Sequence, residues 1–425
     1  MLIRRHVAKL LADYYAQPAN RVVGSALLTE GDINFKRLWG EWHYRRVCSR
    51  LYANQEGRWL TSVELMRPFY SRVLGNFVAE QAEASLKDSH DCFDIVEMGG
   101  GRATNATIIL THLQRSHPGI YQRINSYTMI DASPSLLELQ EQTMRSTDHA
   151  DKMKFELKDI IDVAEGTTSF LNPSNTPTVC ISCELLDNLP HDKVRVKGGR
   201  LVEQGNILPL SEDGDNAGSD GHEMQQTSTV PLVEAFAPLS DPLLSSILKL
   251  APEYTRTSVL TWIPTVACGV LHRLHQERPN STLMFADFDW LPPPDLTKEQ
   301  GLAKRTSTWA AGEPIVTDMD GLDHSCYLES PDHCDILFPT NFDHLAKFVH
   351  KSWNISNNAP FQVDVYKQSD FLERFGPEQV DATKSWLTGF TPMLHDFSNC
   401  SALTVTRRQT SNGEGTNKGK RNPNV

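Results

Sequence analysis

The stretch Glu97-Met98-Gly99-Gly100-Gly101-Arg102-Ala103-Thr104 constrains this chain most. A short β-type run, Phe93-Asp94-Ile95-Val96-Glu97-Met98, leads into it. The residues that follow place Ile108, Ile109 and Leu113 at helical spacing. Strand, glycine loop, helix is the context in which a glycine cluster carries information. Glycine lets the backbone turn sharply and lets a ligand approach with no Cβ in the way. A tight strand-to-helix turn without a ligand is the competing reading.

The loop does not fit a dinucleotide. The third glycine of G-x-G-x-x-G would fall at Thr104, and the first acid at a strand end is Asp131, 32 positions after Gly99, where that motif places it about 20 residues on. No G-x-x-x-x-G-K-[ST] occurs, so a P-loop is not supported. Glu97, just before the loop, would repel a pyrophosphate but suits a cation or ribose hydroxyls. S-adenosylmethionine, with a sulfonium, an amino group and a ribose diol, is the ligand such a loop expects. Asp131 is then the acceptor for the ribose, with capping of the following helix as its alternative role. Asp159, after a third strand, is a candidate for the adenine amine.

Strands are expected at 126–130, ending in Asp131, at 154–157, at 178–182 and at 282–286, ending in Asp287. Between the first two, Ser133 and Pro134 read as the N-cap and first residue of a helix. This alternation argues for a parallel, doubly wound sheet. Residues 33–81 read as two helices, one carrying Phe35, Leu38, Trp39 and Trp42, the other Val63, Met66, Phe69, Val73 and Phe77, separated by Arg45, Arg46, Arg50 and Arg58. Residues 211–229 hold almost nothing to bury and read as a disordered acidic loop; the polar, basic tail from Arg407 also reads as disordered.

The formal charge of −12 argues against a general nucleic-acid binder, which needs clustered basic side chains. No run of 18 apolar residues occurs, so stable membrane insertion is not expected. The eight cysteines are sparse and irregular, which reads as reduced thiols. Cys180 and Cys183 form a C-x-x-C on a strand, which puts the thiols on opposite faces, and no second pair exists to make a zinc site. No metal is expected. Residues 1–12 hold Arg4, Arg5, His6 and Lys9 among apolar residues at helical spacing, with no acid before Asp13. A basic amphipathic helix of this kind resembles a mitochondrial presequence, and the first helix of the fold is the equal alternative. His272 and His275 read as surface histidines, and Asp287 and Asp289 as either cleft or turn residues.

Two segments resemble one family. Gly99-Gly100-Gly101-Arg102-Ala103-Thr104 is similar to the G-P-G-R-G-T loop of the MidA-like methyltransferases, and Cys183-Glu184-Leu185-Leu186-Asp187-Asn188-Leu189-Pro190 to their N-E-F-F-D-A-L-P segment. Weaker matches follow the same order: Gly31-Asp32-Ile33-Asn34-Phe35 to G-P-I-S-F, Thr61-Ser62-Val63-Glu64 to T-S-P-E-V, and Cys334-Asp335-Ile336 with Asn341-Phe342-Asp343 to D-I-T-A-H-V-D-F.

The resemblance implies an α/β fold: a Rossmann-like seven-strand methyltransferase core with an extra N-terminal helical region and insertions. Mapped onto this chain, it implies a mitochondrial targeting segment over 1–30, a helical region over 31–90, a core over 91–405 with insertions near 203–230 and 292–317, and a disordered tail over 406–425. The implied cofactor is S-adenosylmethionine, with Glu97, Gly99, Gly100, Gly101, Asp131 and Asp159 on it. The implied activity is symmetric dimethylation of a protein arginine, on a complex I subunit, in the mitochondrial matrix. Glu184 and Asp187 are the expected clamp on the guanidinium, since two carboxylates can pair with it and orient it. Gly100 stands where the family has Pro, Ala103 where it has Gly, Cys183 where it has Asn, and Leu185-Leu186 where it has an aromatic pair. These departures leave two other readings open: a non-catalytic assembly chaperone on the same fold, or a small-molecule methyltransferase.

Overall fold

The apolar runs at 93–98 and 178–183 have no polar alternation, so they need cover on both faces. The computed structural model supplies it; it describes residues 1–18, 33–53, 60–86, 91–199, 201–210, 231–256, 259–295, 312–318, 321–328, 333–354 and 361–407. The main-sheet strands are β1 (Phe93–Met98), β2 (Ile124–Asp131), β3 (Met153–Leu157) and β4 (Thr178–Cys183), each paired in parallel with its neighbour. A second sheet is built of β5 (Asp192–Lys197), β6 (Leu201–Pro209), β7 (Leu232–Pro238) and β8 (Leu260–Ile263). The chain then returns to the main sheet with β9 (Ser281–Phe288), forms a small sheet from β10 (Ile315–Thr317), β11 (Asp323–His324) and β12 (Asp335–Leu337), and ends with β13 (Phe361–Lys367) and β14 (Cys400–Arg407). The main sheet has the order β13-β14-β9-β4-β1-β2-β3.

The expected parallel sheet is therefore mixed: β14 runs antiparallel to both β9 and β13. The seven-strand core itself is as expected. Strand order reverses at β1, between β2 and β4, and a doubly wound sheet opens its crevice at the carboxyl ends of the strands there.

Helices cover both faces. Ten of the helices are, in chain order, α1 (Ile3–Tyr15), α2 (Glu41–Ala53), α3 (Ser62–Leu65), α4 (Phe69–Leu86), α5 (Thr104–Ser116), α6 (Pro134–Arg145), α7 (Ile160–Glu165), α8 (Pro242–Leu250), α9 (Thr265–Glu277) and α10 (Phe342–Ser352); four more, Pro118–Gln122, Gln368–Phe375, Pro377–Thr383 and Pro392–His395, complete the described ones. Successive strand residues point to opposite faces. Ile95 and Ile181 pack with Phe77 of α4 and Ile109 and Leu110 of α5. Val96 and Cys180 pack on the other side with Val163 of α7, Val266 and Leu271 of α9 and Leu345 of α10. Cys183, three residues beyond Cys180, packs on the first face.

Two local expectations are corrected. Arg45, Arg46 and Arg50 do not separate two helices; they lie within α2, and residues 35–37 form only a 3-10 turn ahead of it. Arg58 lies outside the described residues. His272 and His275 are half-buried: His272 hydrogen-bonds Ser352 at 2.8 Å and His275 stacks on Trp353 with ring centroids 4.7 Å apart. Within the insertion expected near 203–230, β6 runs to Pro209; the loop expected over 211–229 and the tail over 408–425 lie outside the described residues. Among the described residues no helix is long and apolar enough to cross a membrane.

Candidate active site

Three strand ends converge at the point where strand order reverses. β1 delivers Glu97 and the glycine loop, β2 delivers Asp131, and β4 delivers Cys183 and Glu184. They line a cavity of about 310 Å³, closed by Thr61, Val63 and Glu64 around α3, by the 159–161 turn after β3, and by α1.

The loop conformation explains its glycines. Gly99 and Gly101 have φ of +66° and +53°, the left-handed region that L side chains avoid. At Gly100 the constraint is space instead: a Cβ there would sit 2.3 Å from Met129 Cε and 3.3 Å from the Glu97 carboxyl group, so the end of Met129 would have to move. Ala103, where the resembled family has glycine, also adopts a positive φ of +63°. The loop thus turns onto α5 and leaves its backbone facing the cavity.

The carboxylates are held in place individually. Glu97 is 2% exposed and accepts from the Tyr127 hydroxyl at 2.8 Å. Burial pushes it up to about 7, against hydrogen bonds from Tyr127 and Asn105 that pull it down. Asp131 accepts from the Ser133 amide at 3.0 Å and from Gln140 at 2.9 Å, and Gln140 also donates to the Gly101 carbonyl at 3.0 Å. Ser133 in turn caps α6. Burial raises Asp131 while the Ser133 amide and Gln140 oppose that rise. Asp159 caps α7, accepting from the Ile161 amide at 2.8 Å, and burial raises it too.

Glu184 has φ of +52°, a conformation that costs a non-glycine residue about 1–2 kcal/mol. Its Oε1 accepts from both the Ser62 amide at 2.7 Å and the Ser62 hydroxyl at 2.6 Å. Burial raises its pKa and the two Ser62 bonds resist that rise. Glu64 joins it in the cavity lining, bonded by the Thr104 hydroxyl and by Arg67 at 3.5 Å. The sequence signal for Ser62 and Glu64 was the T-S-V-E segment, whose role at the site is visible only once α3 lies against the end of β4.

Of the expected site residues, Glu97, Gly99, Gly100, Gly101, Asp131, Asp159 and Glu184 meet in this cavity. Asp187, expected beside Glu184, does not line it. It lies behind, 3% exposed, with its amide donating to Asp287 at 3.1 Å. Burial, then the charges of Asp287 and Asp335, hold its carboxyl protonated well above the usual range. Asp287 is equally buried, and Asp289 pairs with Lys367 and Ser401 away from the cavity. Two contributors had no sequence signal: Gln140, which links Asp131 to the loop, and α1, which supplies Ala8, Leu11, Ala12, Tyr15 and Ala16 to the lining. Among the described residues no cluster of His, Cys, Asp and Glu could hold a metal ion.

Five acids and Arg102 line this space. Desolvation raises the proton affinity of Glu97, Asp131 and Glu184, and a cavity lined by such acids suits a ligand that brings positive charge of its own. The residues therefore fit S-adenosylmethionine: Glu97 for the amino group, the glycine backbone beside it, Asp131 for the ribose and Asp159 for the adenine edge.

No curated protein matches the chain in a sequence comparison. Solved structures do. One is a crystal structure of a Burkholderia thailandensis protein bound to S-adenosyl-homocysteine, 15% identical, with a TM-score of 0.59 over 96% of this chain and 88% of that one. Another is a native crystal structure of an uncharacterized protein from the same organism, 16% identical, with a TM-score of 0.57 over 96% and 87%. At that identity these likenesses concern the fold. Residues 73–358 match the family model of S-adenosyl-L-methionine-dependent methyltransferases, and the chain belongs to that family.

Proposed function

We propose that this methyltransferase acts on the guanidinium of a protein arginine, dimethylating it symmetrically, on a subunit of respiratory complex I during assembly in the mitochondrial matrix. The observation that carries the reading is Glu184, fixed through one oxygen by both donors of Ser62 at the carboxyl end of β4. Among the described residues its second oxygen has no protein partner, which leaves it for an incoming N–H. Glu64 adds a second carboxylate to the same lining.

Arginine stays cationic at any pH the protein meets. A carboxylate pair that accepts N–H bonds from two guanidinium nitrogens fixes the plane of the group and turns the third nitrogen toward the donor. S-adenosylmethionine supplies an already activated methyl group, so the protein's work is alignment and charge. The attacked nitrogen must then lose a proton, and Glu184, whose buried carboxyl has raised proton affinity, is placed to accept it. The mitochondrial assignment draws on the basic, acid-poor composition of residues 1–12. It requires that import leave α1 on the mature chain, since α1 is part of the cavity wall.

The test is methyl transfer from labelled S-adenosylmethionine to isolated complex I subunits, followed by amino-acid analysis. The reading expects symmetric dimethylarginine, lost in Glu184→Gln. Cofactor binding with no labelled arginine would favour the small-molecule or chaperone alternatives, and cell fractionation outside mitochondria would remove the location.

A further inference from the structure

The first helix precedes the residues that match the family, yet it walls the cofactor cavity. We infer that α1 supplies the apolar face of the slot for the adenine ring, and that Arg4 is the positioning residue that holds it there. Two stripes of the helix carry the argument. Ile3, Val7 and Leu11 are buried in one cluster with Ile207 of β6, Trp262 of β8 and Phe338 just after β12, and Leu11 also reaches the cavity lining. Arg4, 1% exposed, donates to Asp192 at 2.7 Å, to Asp241 at 3.0 and 2.8 Å, and to Glu165 at 3.2 and 3.1 Å. Asp192 begins β5, Asp241 caps α8 and Glu165 ends α7. One guanidinium thereby locks α1 to three elements, including the short helix whose first turn carries Asp159, Ile160 and Ile161 into the cavity.

The stripe that begins at Arg4 continues as the ligand wall. Ala8, Ala12 and Ala16 follow Arg4 at intervals of four, so they stack along one stripe, and all three line the cavity. Small side chains there leave room for a flat ring. Ile160 and Ile161 belong to the same lining. They follow β3, two strands from β1 in the sheet, on the opposite side of the glycine loop from β4 and Glu184. The ring is the apolar part of the cofactor, and this is the apolar end of the cavity. The far end of α1 is tied as well: the Tyr15 hydroxyl donates to Asn188 at 2.6 Å, and the Tyr15 carbonyl accepts from Ser133 at 3.0 Å.

The test is calorimetric titration with S-adenosylhomocysteine. Ala12→Trp fills the slot from an exposed position, so the ligand-free melting temperature is expected to stay within a few degrees while affinity falls about 50-fold or more. Lys9→Trp adds the same bulk on the outer face and is expected to stay within about twofold. In the unmodified protein, amide exchange over residues 8–16 is expected to slow about tenfold when the ligand is added. Wild-type affinity in Ala12→Trp, or exchange over 8–16 that ignores the ligand, overturns the inference. If Ala12→Trp melts far below wild type, the exchange measurement decides alone. Failure of the unmodified protein to bind would instead remove the cofactor assignment on which the inference rests.

Discussion

Ser62 gives Glu184 both of its donors, the amide at 2.7 Å and the hydroxyl at 2.6 Å, across 122 residues of sequence. This contact joins the N-terminal helical region to the end of β4 and holds a left-handed glutamate toward the cavity. Replacing the hydroxyl tests how much of the alignment it provides. In Ser62→Ala the amide bond remains, so the fold should persist. The loss of one charge-assisted bond, about 1–2 kcal/mol, should lower the methyl-transfer rate about tenfold and leave S-adenosylhomocysteine affinity nearly unchanged. Steady-state rates and calorimetry measure the two effects separately.

Glu97 sets a pH dependence. Burial pushes it from 4.5 to about 7, so between those values the folded protein keeps a proton that the unfolded chain has released. Stability without ligand must therefore fall as pH rises through that window, with the loss complete above it. Cationic S-adenosylmethionine favours the ionised form, so its affinity should rise about tenfold over the same range. Glu97→Gln should flatten the affinity profile and reduce the slope of melting temperature against pH.

Gly100→Ala places a methyl group where Met129 Cε lies 2.3 Å away and the Glu97 carboxyl 3.3 Å away. Met129 is fully buried and has little room to move. A cost of about 1–3 kcal/mol in stability is expected, together with weaker cofactor binding because Glu97 shifts. Urea unfolding and calorimetry read both.

Ala103→Gly should do the opposite. The native φ of +63° strains alanine and not glycine. Removing that strain is opposed by the extra freedom glycine gives the unfolded chain and by the loss of a fully buried methyl, so the net gain is at most about 0.5 kcal/mol. A urea midpoint lowered by the full cost of a buried methyl plus glycine's chain freedom, about 1.5 kcal/mol, would show that the left-handed turn is not strained.

Arg4→Met leaves Asp192, Asp241 and Glu165 without their shared cation. Uncompensated buried charge costs about 3–5 kcal/mol. The melting temperature should fall sharply at neutral pH and recover in part as the carboxylates protonate in acid, which a scan across pH would show.

The core strands were legible because each is short, apolar and followed by a turn residue or an acid, and burial on both faces writes itself into consecutive residues. The second sheet was not. Its strands carry Lys193, Arg195, Glu203 and Glu234, which look solvated in sequence and are paired across strands in the fold, Lys193 with Glu234 at 2.9 Å and Arg195 with Glu203 at 2.6 Å. No local pattern announces a partner 41 residues away.

The sequence by itself determined the glycine loop, its helix and the acids at the strand ends, since each lies within a few residues of the strand that presents it. Only the tertiary structure decided which acids face the ligand. Glu184 and Asp187 stand three residues apart, but the turn after β4 sends one into the cavity and buries the other against Asp287. The same holds for the first helix, whose basic residues suggest a targeting segment in sequence and whose Arg4 is, in the fold, enclosed by three carboxylates from elements 161 to 237 residues away. The physical reason is one of range. Backbone turns are set by neighbouring residues, whereas the burial and pairing of charge depend on segments that only folding brings together.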